Sequence, residues 1–329
     1  MKALTLYQLI GDVDDKLVAE ARPEHKHRRH IRPLLLAAVI ALLLAGFAEA
    51  TQGSISDLFA PLFRSSRTEI IDNIGRPVSA AATSDGYTVT AEAVVGDRNT
   101  FAVVYTLTRD DGQPIPENIR FDGWRNSLLS FSGSGSGYLG VADVEGLPAN
   151  QVRLTEQHDL ELPILWRHAH VTFRGLRQQV EDGMPGEGQL LAEGPWELDF
   201  TLRYKDATVK VPVNNLTVTD AEGWTYTIHK VQLSPLSVTM HLDIPNYYYE
   251  MDADEARSYE IDHNWTHMLN VSLRMKDGGG SPFISNGGTS GGKLSAPTLK
   301  AVYNGQFDPP VLPDEVEAII VCGTEIPVK

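Results

Sequence analysis

The segment that decides the fold is Tyr87–Arg109, YTVTAEAVVGDRNTFAVVYTLTR. Apolar and polar residues alternate over Tyr87–Val95 and again over Thr100–Arg109, and this period of two is typical of half-buried β-strands. Gly96–Asn99, between the two runs, supplies Gly, Asp and Asn, which favour turns. Two alternating runs joined by such a turn predict a β-hairpin.

Similar runs follow along the chain, broken by Gly, Pro and Asp, and few stretches show a helical period. The candidate strands are Ile164–Phe173, Trp196–Tyr204, Thr208–Val213, Trp224–Leu233, Leu236–Ile244, Asn270–Met275, Thr298–Tyr303 and Ala318–Cys322. Short strands at this density favour β-sandwiches over a parallel α/β sheet. Because about 280 residues exceed one typical sandwich, we predict two tandem immunoglobulin-like β-sandwich domains, 69–205 and 206–329, with a boundary near Tyr204–Val211.

Two Gly/Ser-rich segments, Ser130–Gly137 and Asp277–Gly292, are predicted to be exposed loops. The run Gly287–Lys293, GGTSGGK, has the spacing of a phosphate-binding loop, but Leu294 stands where a magnesium-binding Ser or Thr is required. We expect a flexible loop there and no nucleotide site.

The apolar run Pro33–Ala48, PLLLAAVIALLLAGFA, carries no charge and follows the basic segment HKHRRHIR. Its 16 residues span about 24 Å as a helix, and the stems of the preceding arginines extend that reach. The positive-inside rule places residues 1–32 in the cytoplasm and the bulk outside. We predict a cytoplasmic head (1–32), a transmembrane helix (33–50) and a juxtamembrane segment (51–68). The anchor residues are Arg28, Arg29, Arg32, Leu34, Leu35, Leu36, Leu42, Leu43 and Leu44.

The alternative for the same run is a cleaved signal peptide, which would make the body a secreted protein. Ala48-Glu49-Ala50 fits a small-residue cleavage site, so cleavage would fall near Ala50. The 32 residues before the apolar run argue for an anchor instead, because they carry a helical pattern of their own. Both possibilities remain open.

The head contains an amphipathic helix, with apolar residues at steps of three and four. Leu6, Ile10, Val13 and Leu17 form its apolar face. A helix of roughly 20 residues cannot bury such a face by itself. We therefore expect these residues to contact a partner protein, the inner leaflet or a second copy.

Charge and cysteine content exclude several classes of function. The net charge is −15, which argues against direct nucleic-acid binding by the body. A single cysteine, Cys322, excludes an intrachain disulfide and Cys-rich zinc sites. His168 and His170 point to one face of a strand, but no third metal ligand is visible in the sequence. We predict no catalytic residue, no metal site and no cofactor, and therefore no enzyme.

Several stretches resemble a family of single-pass membrane proteins of Gram-positive bacteria described as anti-sigma-factor-like. They are LYQLIGDVDDKLVAEA (Leu6–Ala21), HRRHIRPLLLAAVIALLLA (His27–Ala45), DGYTVTAEAVVGDRNTFAVVYTLTRDDGQPI (Asp85–Ile115), GPWELDFTL (Gly194–Leu202), WTYTIHKVQLSPLSVTMHL (Trp224–Leu242) and LPDEVEAIIVCGTEIPV (Leu312–Val328). This family carries an extracytoplasmic domain of unknown function, here followed by a second uncharacterised β domain.

The resemblance implies a membrane-bound regulator whose head holds a cytosolic sigma factor and whose outer domains sense an extracytoplasmic ligand. The head departs from many anti-sigma factors because it is short and lacks the cysteines of their zinc motif. The alternative is a surface-anchored binding or adhesion protein whose head serves only as an anchor.

Overall fold

A computed structural model describes residues 54–63, 67–130, 135–142, 144–160, 163, 167–179, 188–245, 269–291 and 297–329. They belong to one compact unit, Thr51–Lys329. The predicted head and anchor lie outside the described residues, and so do all residues named for them. Among the described residues, no helix is long and apolar enough to cross a membrane.

The described chain is mainly β, as predicted, with two short helices at its start. These helices are α1 (Ile55–Phe63) and α2 (Thr68–Ile74). The strands are β1 (Arg76–Ser84), β2 (Tyr87–Gly96), β3 (Thr100–Arg109), β4 (Ile119–Asn126), β5 (Gly135–Ala142), β6 (Gln151–Leu160), β7 (His168–Gln178), β8 (Gln189–Ala192), β9 (Trp196–Thr201), β10 (Val209–Val211), β11 (Leu216–Thr219), β12 (Thr225–Leu233), β13 (Ser237–Pro245), β14 (Val271–Met275), β15 (Phe283–Gly291), β16 (Thr298–Asp308), β17 (Val316–Val321) and β18 (Thr324–Pro327). The predicted hairpin is β2–β3, which pairs in antiparallel register from Tyr87↔Arg109 to Gly96↔Phe101.

Strands β1–β9 form what we call the N-terminal β region. A five-stranded sheet has the order β1-β2-β3-β6-β5, and a second sheet has the order β4-β7-β8 with β9 also paired to β7. Side chains from both sheets form one core, in which Tyr105, Phe173 and Trp196 are fully buried. The indole Nε1 of Trp196 donates to the carbonyl of Tyr87 at 2.8 Å, so the largest core side chain has its polar atom satisfied.

Strands β10–β18 form the C-terminal β region. One sheet has the order β10-β12-β13-β16-β15 with β11 paired to β12, and the other has the order β14-β17-β18. Their shared core includes the buried side chains of Tyr226, Met240, Tyr303 and Phe307. Tyr204 is the last residue of the N-terminal core, and Val211 is the first of the C-terminal core.

A third apolar cluster connects α1 and α2 to both regions. The helices contribute Phe59, Phe63, Ile70, Ile71 and Ile74, which pack with Ala93, Val95, Ala102 and Val104 of the hairpin and with Leu236. The four hairpin residues alternate with core residues, so they lie on the outer face of the five-stranded sheet. The helices therefore cover a sheet face that would otherwise expose apolar surface to water.

A buried carboxylate lies where the two β regions meet. Asp97 Oδ2 accepts hydrogen bonds from the hydroxyls of Ser234 and Ser237, each at 2.5 Å. Its Oδ1 accepts from the backbone amides of Asn99 and Thr100 at 2.9 and 2.7 Å. Burial raises the pKa of Asp97, and these four donors oppose the rise without cancelling it. Asp159, close by, is partly buried and accepts from Gln306 Nε2 at 2.8 and 2.7 Å.

The predictions for the Gly/Ser-rich segments were wrong over part of their length. Gly135–Ala142 is strand β5, and Phe283–Gly291 is strand β15. Both lie at sheet edges, paired to β6 and β16. Ladder hydrogen bonds hold a strand whatever its side chains, so glycine-rich sequence is tolerated there. Because Gly287–Gly291 is extended, this segment does not form the helix-opening turn that a phosphate-binding loop requires.

Candidate ligand-binding cleft

A cleft opens between β4 and β5, which are edge strands of the two sheets of the N-terminal β region. It consists of two adjacent hollows of about 500 and 920 Å³. Ile119, Val141 and Gln179 line both hollows. The larger hollow adds residues from the β3–β4 and β5–β6 connections, namely Ile115, Pro116, Leu147 and Pro148. The lining of both hollows mixes apolar side chains with polar and charged ones, such as Asp122 and Arg153.

Two apolar side chains at the cleft are more exposed than the core residues beside them. Tyr138 is 62% exposed and Val141 is 53% exposed, and both lie on β5. Strand β5 pairs only with β6 among the described strands, so its other edge presents backbone groups without a strand partner. The cleft therefore combines apolar surface with a free strand edge.

Two residues that line the cleft each have a buried nitrogen without a hydrogen-bond partner among the described residues. They are Trp124 (Nε1), of the smaller hollow, and Arg153 (Nε), of the larger one. Both are buried N–H donors, and a donor without an acceptor costs about 1–3 kcal/mol. A ligand or water that brings an acceptor oxygen to these positions would recover that free energy.

Behind the cleft lies a buried group of four polar residues, which we call the polar centre: Tyr105, Asn126, Glu156 and His158. Glu156 is its hub. The Tyr105 hydroxyl donates to Glu156 Oε2, and Asn126 Nδ2 donates to Oε1 at 2.6 Å. His158 Nε2 lies 2.6 Å from the same Oε1. Because a carboxylate only accepts, we assign the hydrogen of the imidazole to Nε2.

His158 connects the polar centre to the cleft wall. Its ring stacks on Trp124, with centroids 5.1 Å apart and planes 19° from parallel, and packs against Phe101 on its other side at 4.9 Å. Gly137 of β5 lies against its edge, where a Cβ would be 2.2 Å from His158 Nδ1. Only glycine allows this close approach, so position 137 of β5 has to be glycine for the imidazole to lie where it does.

The polar centre resembles the base-and-carboxylate half of a hydrolytic site, but it lacks the rest. His158 Nδ1 is buried and has no hydrogen-bond partner among the described residues, so no nucleophilic hydroxyl is positioned on it. The side chains of Glu156 and His158 are 0% exposed. Burial and the adjacent Glu156 raise the pKa of Tyr105, which keeps the phenol neutral as a donor. This arrangement fixes the position of Trp124 and gives no substrate access.

The structure brings a third polar side chain to the two strand histidines noted in the sequence. Asp199 Oδ1 lies 3.2 Å from His168 Nε2 and 3.0 Å from His170 Nδ1. The hydrogen bond from His170 lowers the pKa of Asp199 more than any other contact. No group of three such side chains is arranged to hold a metal ion in the part of the chain that the structure describes.

Sequence reasoning missed the cleft and the polar centre. None of the residues predicted for partner binding or for the anchor falls within the described ranges. A signal for the polar centre was present in β6, where Leu154, Glu156, His158 and Leu160 alternate on one face. Two polar residues between two leucines on an inward face indicate a buried polar pair. The signal was overlooked because Gln151–Leu160 was not predicted to be a strand.

Comparison with known proteins adds one match. No family model matches the chain, and no curated protein matches it. Among solved structures, one match is described as the crystal structure of the conserved domain protein from Bacillus anthracis. It is 15% identical, with a TM-score of 0.49, and the alignment covers 75% of this chain and 76% of that one.

Proposed function

We propose that this chain is a membrane-anchored, extracytoplasmic binding protein of the signalling type, in which the cleft between β4 and β5 takes the ligand. The observation that carries this proposal is the cleft itself, which has walls of mixed apolar and polar side chains, a free strand edge and two buried donors without partners. A sandwich that served only as a spacer would gain nothing from these features. Each of them costs stability when no ligand is bound.

The chemistry of the cleft favours an extended polypeptide segment as ligand. A strand added to the free edge of β5 would pair with its backbone, and the apolar side chains on its inward face would contact Ile119, Val141 and the other apolar residues of the hollows. The carbonyl groups of such a segment are acceptors suited to Trp124 Nε1 and Arg153 Nε. Apolar side chains and backbone acceptors occur together in a peptide strand, so one ligand class accounts for both sets of features.

The helices supply a physical connection from the binding region toward the predicted anchor. α1 and α2 pack on the outer face of the same five-stranded sheet whose edge forms the cleft. Ser56 also donates its backbone amide to Asp72 Oδ1 at 2.8 Å, which ties α1 to α2. Under this proposal, a ligand that shifts the sheet changes the helices that follow the membrane segment.

Binding is tested with ten-residue peptides in which Val or Leu alternates with Ser or Thr, titrated against the full chain in non-ionic detergent. Val141→Arg places a charge in the cleft, and Val209→Arg is the matched control on the exposed edge strand β10, outside the cleft. We expect Val141→Arg to weaken binding about tenfold or more and Val209→Arg to leave it unchanged. Equal binding by all three proteins, or none by the wild type, would contradict the proposal.

The signalling role is tested separately at the head. A membrane pull-down compares the native chain with Ile10→Asp, Leu17→Asp, and mass spectrometry identifies the retained proteins. A sigma factor retained only by the native head supports the regulator. If nothing depends on the head, the second candidate remains: a surface binding or adhesion protein that uses the same cleft and a passive anchor.

A further inference from the structure

The sheet of β4, β7 and β9 has an outer face, which points away from the core, and we propose that this face binds a phosphate-bearing soluble ligand. The face is built by cross-strand register. Arg125 of β4 pairs with Thr172 of β7, which pairs in turn with Glu197 of β9. One step along, Gly123 pairs with Arg174. The hollow on this face adjoins the cleft, because Trp124 lines both.

Two arginines on this face have no anionic partner. Arg125 and Arg174 are both exposed, and neither forms a hydrogen bond or ion pair with any described residue. They are diagonal neighbours, which in an antiparallel pair puts their Cβ atoms roughly 7–8 Å apart. Several other arginines of the described chain pair with carboxylates, as Arg98 does with Asp206 and Arg177 with Asp122. An unpaired basic couple is unexpected in a chain of net charge −15.

The space between the two guanidinium groups is open. Gly123 contributes no side chain, and a hollow of about 610 Å³ lies there, lined also by His170, Ser127 and Thr172. The Ser127 hydroxyl oxygen accepts the backbone amide of His170 at 3.0 Å, so its own hydrogen is available to donate. Two guanidinium groups and two hydroxyls around a hollow match the oxygens of a tetrahedral oxyanion.

Glu197 limits which anions fit. Glu197 also lines the hollow and is a diagonal neighbour of Arg174, because it pairs with Thr172. It forms no ion pair with either arginine of the hollow in the part of the chain that the structure describes. It would repel a second negative charge but accept a hydrogen bond from a hydroxyl. The ligand class is therefore a phosphate attached to a hydroxyl-bearing group, with glycerol phosphate as the simplest example.

The experiment titrates inorganic phosphate and glycerol 3-phosphate into the full chain in non-ionic detergent, followed by calorimetry at low and moderate salt. We expect saturable binding that weakens with salt, with the Arg125→Gln, Arg174→Gln double variant at least about tenfold weaker. Arg120→Gln is the matched control, because Arg120 is an exposed arginine of β4 that does not line this hollow. It should bind like the wild type, and Glu197→Gln should bind inorganic phosphate more tightly.

Three outcomes would overturn the proposal: no saturable binding by the wild type, equal loss in Arg120→Gln and in the double variant, or binding only to vesicles of anionic phospholipid. The last outcome would assign the surface to a membrane. All of these side chains are exposed, so circular dichroism should show that every variant is folded. Val141 does not line this hollow, so Val141→Arg should leave phosphate binding unchanged.

Discussion

The cores of the two β regions differ in the polar groups that they bury. The N-terminal core encloses a carboxyl, an imidazole, an amide and a phenol, and a cleft opens beside them. In the C-terminal region, the buried carboxylate of Asp220 serves a turn, accepting the amides of Glu222 and Trp224 and the hydroxyl of Tyr226 at 2.6 Å. A sandwich therefore does not need a polar centre in order to fold.

The largest expected effect is at the hub of the polar centre. Glu156→Ala removes the acceptor of three buried groups, and we expect unfolding free energy to fall by about 3–5 kcal/mol. Glu156→Gln keeps one acceptor and should lose less. Urea unfolding of the full chain in detergent measures both. If Glu156→Ala lost less than about 1 kcal/mol, the polar centre would not distinguish the stability of the N-terminal core from that of the C-terminal core.

The next effect concerns the carboxylate between the regions. Asp97→Ala leaves two hydroxyls and two amides without their acceptor, and we expect a loss of about 2–4 kcal/mol. If Asp97 couples the unfolding of the two regions, the wild type should unfold in one transition and the variant in two. Unfolding followed by tryptophan fluorescence and by far-ultraviolet circular dichroism would reveal such a separation.

The same carboxylate predicts a pH dependence. Burial raises the pKa of Asp97, so the folded protein holds this proton more tightly than the unfolded chain does. Its stabilisation is present below the unfolded pKa, about 3.9, and is lost as pH rises through the raised folded value. We expect the wild type to gain stability relative to Asp97→Asn as pH falls from neutrality. A parallel pH dependence of the two proteins would contradict this.

The smallest expected loss of stability is in the C-terminal β region, at the hydrogen bond between Tyr226 and Asp220. Tyr226→Phe removes one hydrogen bond to Asp220 and leaves the carboxylate with two backbone donors, so we expect a loss of about 1 kcal/mol. The matched change in the N-terminal core is Tyr105→Phe, which leaves Glu156 with Asn126 and His158 as its hydrogen-bond donors. It should cost more, because Glu156 lies wholly inside the core while Asp220 caps a turn. If urea unfolding gave equal losses of unfolding free energy for Tyr226→Phe and Tyr105→Phe, this expected difference between the two regions would be contradicted.

Strand prediction succeeded where side chains alternate and failed where they are small. The β2–β3 hairpin is visible because Val, Tyr and Thr alternate over both runs. Strand β5, GSGYLGVA, is not visible, since an edge strand of glycines depends on its neighbour for its hydrogen bonds. The wall of the cleft is such a strand, so the candidate site was hidden for the same reason.

The amino-acid sequence by itself determined the β character of the body, its acidic charge, its lack of disulfides and the turn between β2 and β3. These follow from composition and from a period of two, which are local properties. Only the tertiary structure decided that Glu156 meets Tyr105, 51 residues away, and Asn126, 30 residues away. It likewise decided that Arg125 and Arg174 line one hollow. Such contacts depend on strand order and register across two sheets, which no local pattern specifies.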